Sequence, residues 1–90
     1  MNKVYYSVWV TIPFSMKYDA LEMGYKLEKF VKRGSDSSGA GFGNRDMDWY
    51  FKVRKEADTF KTKIKSFFKK NSLKGEVGIS KYEDEDIDII

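Results

Sequence analysis

The chain has 90 residues, of which 41% are hydrophobic and 34% charged, with a formal net charge of +3 at pH 7. That size and balance are typical of one folded domain with a modest core. It contains no Cys and no His, which excludes a disulfide framework, a thiolate zinc site and a histidine general base. No apolar run approaches the roughly 18 residues of a membrane span, so we expect a cytoplasmic protein without a membrane partner, metal or cofactor.

The first half of the chain predicts a strand and a helix. Alternating β-branched and aromatic residues predict a strand over residues 4–12, which Pro13 ends. Apolar residues then recur at helical spacing and predict an amphipathic helix of about 17 residues. Ser15 is the expected N-cap, with Asp19 near the start, and Gly34 is the expected C-terminal stop.

The second half predicts two or three further strands and one helix. Residues 34–46 are rich in Gly and Ser, and we expect a flexible loop, a short strand at 39–43 and a turn at Asn44 and Arg45. Alternation predicts a strand over 47–53. Helical spacing predicts a helix over 57–68, with Asn71 as a left-handed stop. Alternation also predicts a last strand over 76–82. Without the glycine-rich strand, a three-stranded sheet remains.

The order of these elements predicts an α+β fold. Strand, helix, strand, strand, helix, strand is the order of the ferredoxin-like βαββαβ arrangement, an antiparallel sheet with two helices on one face. The first and third strands would then be central, and residues 1–82 would form one domain. The uncovered face would carry the following residues: Tyr5, Ser7, Trp9, Thr11, Asp48, Tyr50, Lys52 and Arg54, with Tyr82 at its edge.

A contiguous group of exposed aromatic residues predicts a binding surface. We expect Trp9, Tyr50 and Arg45 to be its energetic anchors, because Trp, Tyr and Arg dominate interaction hot spots. Arg45 would act from the end of the glycine-rich loop. Two alternatives remain for the same face, which are a homodimer interface and cover by the C-terminal tail.

Residues 83–90 (EDEDIDII) predict an acidic tail outside the domain. Five acids beside a basic domain could fold back on the lysine-rich helix or engage a basic partner. The three isoleucines could instead add an edge strand or enter a groove of a partner. A frayed, solubilising terminus is the plainer alternative.

Basic residues between positions 52 and 74 suggest nucleic acid as another partner. Nine cations there accompany two acids, and such an excess attracts phosphate in a salt-dependent way. Residues 48–64 (DWYFKVRKEADTFKTKI) resemble, in hydrophobic rhythm, the third strand and second helix of RNA-recognition domains, which stack bases on central-strand aromatics. The resemblance is one of topology, since the Gly/aromatic signature of the third strand is missing. It implies an RNA or single-stranded-DNA site built from Tyr5, Trp9, Tyr50, Lys52, Arg54, Lys61, Lys65 and Lys69.

Catalysis is not expected. Acylphosphatases have the same topology and carry an arginine in the loop after the first strand, but residues 13–16 (PFSM) contain none. Gly39, Gly41 and Gly43 do not form a phosphate-binding motif, and Asp46 with Asp48 alone would make a poor metal site. We therefore expect a small non-catalytic regulatory or inhibitory protein that binds a protein partner. Fourteen lysines against three arginines suggest an AT-rich source such as a phage or mobile element.

Overall fold

The chain folds into four antiparallel strands and two helices. The computed structural model describes residues 3–17, 19–41 and 43–84, apart from the side chains of Lys3 and Asp84. The elements are β1 (Lys3–Pro13), α1 (Ala20–Val31), β2 (Ser37–Gly41), β3 (Asn44–Phe51), α2 (Arg54–Lys70) and β4 (Glu76–Asp84). The strands form one sheet in the order β2-β3-β1-β4. The predicted α+β class is therefore confirmed. Within the described ranges, no helix is both long and apolar enough to cross a membrane.

The predicted central position of the first and third strands is confirmed, since β1 and β3 pair with each other in the middle of the sheet. Their register places Val8 opposite Trp49 and Val10 opposite Met47, and all four side chains are buried. Successive residues of a strand point to opposite faces. The intervening pair, Trp9 and Asp48, therefore lies on the other face of the sheet.

One face of the sheet packs against both helices. The core residues are Val8, Val10, Ile12, Met47 and Trp49 from the sheet, Ala20, Leu27 and Val31 from α1, and Ala57, Phe60, Ile64, Phe67 and Phe68 from α2. Trp49 is fully buried, and its ring centroid lies 5.2 Å from that of Phe60. Its indole nitrogen donates to the carbonyl of Arg33 at 3.0 Å. Trp49 thereby connects β3 to α2 and to the end of α1.

Helix α1 is shorter than predicted, and neither predicted cap is correct. Asp19 is the N-cap, because its backbone is extended and its carboxylate accepts from the Leu21 amide at 2.9 Å. Ser15 instead accepts from the Lys17 amide in the preceding turn. The C-cap is Lys32, with φ of 58°. The helix therefore ends before Gly34, and the carbonyl of the next residue, Arg33, accepts from the Trp49 indole.

The strands around the glycine-rich segment begin earlier than predicted. β2 is a true strand, and Asn44 and Arg45 belong to β3, so the turn predicted at these two residues is wrong. Gly41 pairs with Asn44, which leaves a two-residue connection of position 42, outside the described residues, and Gly43. Gly43 has φ of +79°, a conformation that hairpin turns require and that glycine adopts without strain.

The boundaries of the last three elements also differ from the prediction. β3 ends at Phe51, because Val53 is the N-cap of α2. Asn71 is the C-cap of α2 but has φ of −100°, and the left-handed residue is Ser72. β4 continues to Asp84, with Glu83 paired to Val4. The first two residues of the predicted tail are thus part of the sheet, and residues 85–90 lie outside the described residues.

Candidate binding surface

The sheet face opposite the helices is called the open face below. Strand alternation and the register assign to it the following residues: Tyr5, Ser7, Trp9 and Thr11 of β1, Asn44, Asp46, Asp48 and Tyr50 of β3, Glu76, Gly78, Ser80 and Tyr82 of β4, and Ser37, Gly39 and Gly41 of β2. No helix covers this face, because both helices pack on the other side of the sheet. Apart from Ser7, which is buried among its neighbours, its side chains are therefore at least partly open to solvent or a partner.

Three tyrosines form a cluster at one end of the open face. Tyr5 and Tyr82 are directly paired across strands, and their rings stack at 5.1 Å and 18°. Tyr50 meets Tyr5 edge-on at 5.6 Å and 72°. Both geometries suit the ring quadrupole. Tyr50 and Tyr82 are 42% and 46% exposed, so the tyrosine cluster is ordered by its own contacts yet remains accessible.

A shallow cavity of about 430 Å³ adjoins the tyrosine cluster, lined by Tyr5, Arg33, Asp36, Tyr50, Phe51 and Lys52. Arg33 donates to the Asp36 carboxylate at 3.0 Å and to the Tyr50 carbonyl at 2.7 Å. Asp36 in turn accepts from the Tyr50 amide at 2.8 Å. These bonds fix the cavity wall and leave Lys52 as a further cation on its lining.

The middle of the open face is occupied by the Trp9 indole, which lies against Gly78. Trp9 and Gly78 are cross-strand partners, and a Cβ atom added at Gly78 would lie within the space of the indole ring. Only glycine lets the ring lie flat on β4. Trp9 is only partly buried there, so part of its ring is available for contact.

The other end of the open face is acidic. Thr11 donates to Asp46 at 3.1 Å, and Asp48 follows two residues later on the same face. Burial, together with the negative charge of Asp46, raises the pKa of the Asp48 carboxyl above its ordinary value. Partial burial and the nearby charges of Asp48, Tyr5, Asp36 and Tyr82 raise the pKa of the Tyr50 hydroxyl. Among the residues that the structure describes, no cation pairs with either aspartate.

The structure brings together five of the predicted site residues and separates the others. Tyr5, Trp9, Tyr50 and Tyr82 share the open face, and Lys52 lines the adjoining cavity. Arg54 begins α2, and its guanidinium lies 5.8 Å from the Tyr6 ring on the helix side, so its predicted place on the open face is wrong. Strand β3 ends before it, which breaks the alternation. The lysines at 61, 65 and 69 are on α2, across the sheet from the tyrosine cluster.

Arg45 also lies away from the open face. It shares the odd-numbered side of β3 with Met47 and Trp49, and only 9% of it is exposed. A Cβ atom at Gly24 of α1 would meet its Nε at 3.0 Å, so the side chain lies directly beneath that helix. The expectation that Arg45 is an exposed anchor at the loop end fails, because the residue is inside a strand.

Two features of this surface could not be predicted from the sequence pattern. The Arg33–Asp36 pair that forms the cavity wall lies in an irregular connection, and its contacts depend on where β3 passes. The contact between Gly78 and Trp9 depends on the register of β1 and β4. Within the described ranges, no group of three or more acidic residues is placed to hold a metal ion.

Comparisons with known proteins leave function to be inferred from this geometry. No protein-family model matches the chain, and neither a curated protein nor a solved structure matches it.

Proposed function

We propose that this chain is a small, non-catalytic regulatory or inhibitory protein of the cytoplasm that binds a protein partner through its open face. The observation that carries the proposal is the combination of the accessible tyrosine cluster and Trp9 with two carboxylates that no described cation neutralises. Soluble monomers seldom expose contiguous aromatic groups without a binding role.

The proposal includes the ferredoxin-like βαββαβ topology. Its support is the element order, the sheet order β2-β3-β1-β4 and the packing of both helices on one face. This arrangement explains why a whole face of the two central strands remains free. A four-stranded face suits a partner surface of about 800 Å², the usual contribution of each protein to a standard interface.

Aromatic side chains on the open face are suited to be hot spots. Tyr and Trp bury a large area while losing little conformational entropy. Here Tyr5 is held by two ring contacts and Trp9 by its seat on Gly78. Since these rings are ordered before the partner arrives, binding costs less entropy than it would for free side chains.

The acidic end specifies the charge of the partner. The raised pKa of the Asp48 carboxyl reflects burial and repulsion from Asp46, and a Lys or Arg from the partner would offset both effects by stabilising the ionised carboxylate. The same carboxylates repel a phosphate backbone. We therefore infer that the protein partner presents at least one cation opposite Asp46 and Asp48, beside aliphatic or aromatic contacts to the tyrosines.

RNA or single-stranded DNA is the second candidate partner. One observation favours it: the tyrosine cluster adjoins a cavity whose lining includes Arg33 and Lys52, and bases stack on aromatic rings beside such cations. The lysines of α2 lie on the opposite side of the sheet. A single nucleic-acid strand would therefore have to pass around an edge of the sheet to contact both the tyrosine cluster and these lysines.

An affinity capture from a lysate of the source organism, split into nuclease-treated and untreated halves, tests this assignment. The baits are the wild type, the open-face variant Trp9→Ala/Tyr50→Ala, and the helix variant Lys61→Glu/Lys65→Glu/Lys69→Glu. We expect a stoichiometric protein that survives nuclease, that the open-face variant loses and the helix variant retains.

Other outcomes would assign the surface differently. If the wild type recovers RNA or DNA, and if this recovery is lost in the helix variant and after nuclease treatment, the partner is nucleic acid and not a protein. A protein retained equally by the open-face variant would overturn the proposed surface. Recovery of this chain alone, again dependent on Trp9 and Tyr50, would make the open face a homodimer interface.

A further inference from the structure

Strand β2 forms one edge of the sheet and lacks the features that usually protect an edge strand. Within the described residues its outer side has no pairing partner, because the sheet order places only β3 beside it. All five of its residues are exposed, and its sequence, SSGAG, contains neither a charge nor a proline. The backbone N–H and C=O groups directed away from β3 are therefore open to pairing with another strand.

The opposite edge of the sheet is protected. Strand β4 carries several charged side chains, and Lys81 and Glu83 form an ion pair at 3.3 Å. Charged residues on an edge strand are a common device against pairing with a second molecule. The contrast between the two edges indicates that β2 is the one available for an added strand.

Helix α1 presents an exposed apolar pair beside β2. Leu21 and Tyr25 are one helical turn apart, so their side chains are neighbours on one side of the helix. They are 38% and 59% exposed. The Tyr25 ring lies 5.7 Å from the guanidinium carbon of Arg45, and Arg45 is the β3 residue that pairs with Ala40 of β2.

Two further contacts show which side of α1 faces β2. Glu28 follows Tyr25 by three residues on the same side, and its carboxylate accepts from the Ser35 amide at 2.6 Å, just before β2 begins. On the other side of the helix, the Phe30 ring contacts that of Phe67 in α2, with centroids 5.3 Å apart. The exposed apolar pair therefore projects toward β2 and away from α2.

The apolar pair lies level with the centre of β2. Gly39 is the middle residue of this strand and pairs with Asp46. A Cβ atom at Gly24 would lie 3.0 Å from Nε of Arg45 and 3.1 Å from Sδ of Met47. Helix α1 thus crosses β3 at the two residues that flank Asp46, with the apolar pair on either side of this crossing point.

We propose that β2 pairs with β2 of a second copy of this chain, antiparallel and centred on Gly39, and that Leu21 and Tyr25 of the two copies meet above this pair. A two-fold axis at Gly39 then relates the copies, and each patch meets the same patch of the other copy. This interaction goes beyond the proposed function and does not depend on it.

The residues of β2 fit this self-pairing. Antiparallel pairing about Gly39 places only small, uncharged residues opposite one another, namely Gly39 with Gly39, Ser38 with Ala40 and Ser37 with Gly41. No pair brings like charges together, which would destabilise the added ladder. A Cβ atom added at Gly39 or Gly41 would meet nothing within 4 Å, so no described atom of the same chain fills the space beside these residues.

The dimensions of a shared sheet explain why the pair on α1 is large. The β3 strands of the two copies would be about 15 Å apart, since three strand spacings separate them. Helices in direct contact lie about 8–10 Å apart, so helices seated above β3 leave a gap over β2. The short side chains of Ser38 and Ala40 cannot fill this gap. Leu21 and Tyr25 from each copy can fill it, and they are exposed in the monomer.

Edge pairing leaves the open face free. It joins the two four-stranded sheets side by side, and a two-fold axis perpendicular to the sheet keeps both open faces on the same side. The tyrosine cluster and Trp9 of each copy remain accessible. The dimer would therefore present two copies of the proposed partner surface side by side.

Sedimentation velocity over a concentration series tests the proposal with full-length chains. We expect the wild type to self-associate, and Gly39→Lys and Gly39→Glu each to associate at least about fivefold more weakly, because like charges then stand directly opposite at the axis. An equimolar mixture of the two variants should associate more tightly than either variant alone, since a lysine then faces a glutamate. Circular dichroism checks that both variants are folded.

Two further variants locate the interface. Leu21→Ala/Tyr25→Ala should also weaken self-association, whereas Trp9→Ala/Tyr50→Ala should leave it unchanged. A wild type that stays monomeric up to about 1 mM would overturn the proposal, and so would a mixture of the Gly39 variants that associates no better than either alone. A monomeric wild type that still captures a partner through the open face would overturn this proposal only. Self-association lost in Trp9→Ala/Tyr50→Ala but kept in Gly39→Lys would assign it to the open face.

Discussion

The two faces of the central strands share one backbone but differ in the polarity and the burial of their side chains. On β1, Val8, Val10 and Ile12 face the helices and are at most 1% exposed. Between them, Trp9 and Thr11 face the other way, toward Asp46 and Asp48. The covered face is apolar and holds the domain together. The open face has aromatic rings and two carboxylates that pair with no cation among the described residues, and we propose that a partner completes it.

The largest expected effect is on the covered face. Replacing Trp49 by Ala should lower the free energy of unfolding by about 3–5 kcal/mol, because it removes a fully buried ring and its bond to Arg33. Urea denaturation followed by circular dichroism measures the change. The matched control is Trp9→Ala on the open face, and an equal loss in that variant would contradict the division between the two faces.

The second effect concerns partner affinity on the open face. Trp9→Ala should weaken binding of the captured partner by about 30-fold or more, the range of an interface hot spot. Titration calorimetry measures it. Tyr25→Ala, which truncates an exposed ring on α1 instead, should leave the affinity within about threefold. Similar losses in both variants would mean that aromatic residues outside the open face contribute to binding.

The third prediction tests the seat of Trp9 on Gly78. Gly78→Ala should cost about 1 kcal/mol of stability, because the new methyl group displaces the indole. In Gly78→Ala/Trp9→Ala the cost should largely disappear, and a double-mutant cycle in urea measures this coupling. Additive effects would mean that the ring does not lie on Gly78.

The smallest expected effect is the pH dependence of Asp48. Its pKa is raised on folding above the ordinary 3.8, so the folded state holds this proton more tightly than the unfolded state does. Ionisation therefore destabilises the fold as pH rises through the raised pKa. Asp48→Asn should be more stable than the wild type at pH 7 by up to about 0.5 kcal/mol, with the difference vanishing below the ordinary pKa.

Asp58→Asn is the matched control for this pH effect. Asp58 lies on α2 in an exposed ion pair with Arg54 at 3.8 Å, and its loss should not raise stability at pH 7. Urea midpoints between pH 3 and pH 7 compare the two variants. A gain that is equal in both, or that persists at pH 3, would contradict the inferred repulsion between Asp48 and Asp46.

Strand alternation accounts for most of what could be predicted from the sequence. It placed Tyr5, Trp9 and Tyr50 on one face and Val8 and Val10 on the other, because a period of two needs no knowledge of distant contacts. It failed at Arg45 and Arg54, where the error was in the ends of β3. The ends of helices and strands depend on tertiary contacts such as the hydrogen bond between Trp49 and Arg33. A local sequence pattern does not predict such contacts.

The affinity of the captured partner for two matched variants tests the central claim most directly. One variant, Tyr5→Ala/Trp9→Ala/Tyr50→Ala, changes only the open face, and the other, Lys61→Glu/Lys65→Glu/Lys69→Glu, changes only the solvent side of α2. Circular dichroism must first confirm that both are folded. We predict that the first loses at least about 100-fold in affinity and the second less than about threefold. The reverse order would mean that the partner binds the helices, and the assignment of the open face would be wrong.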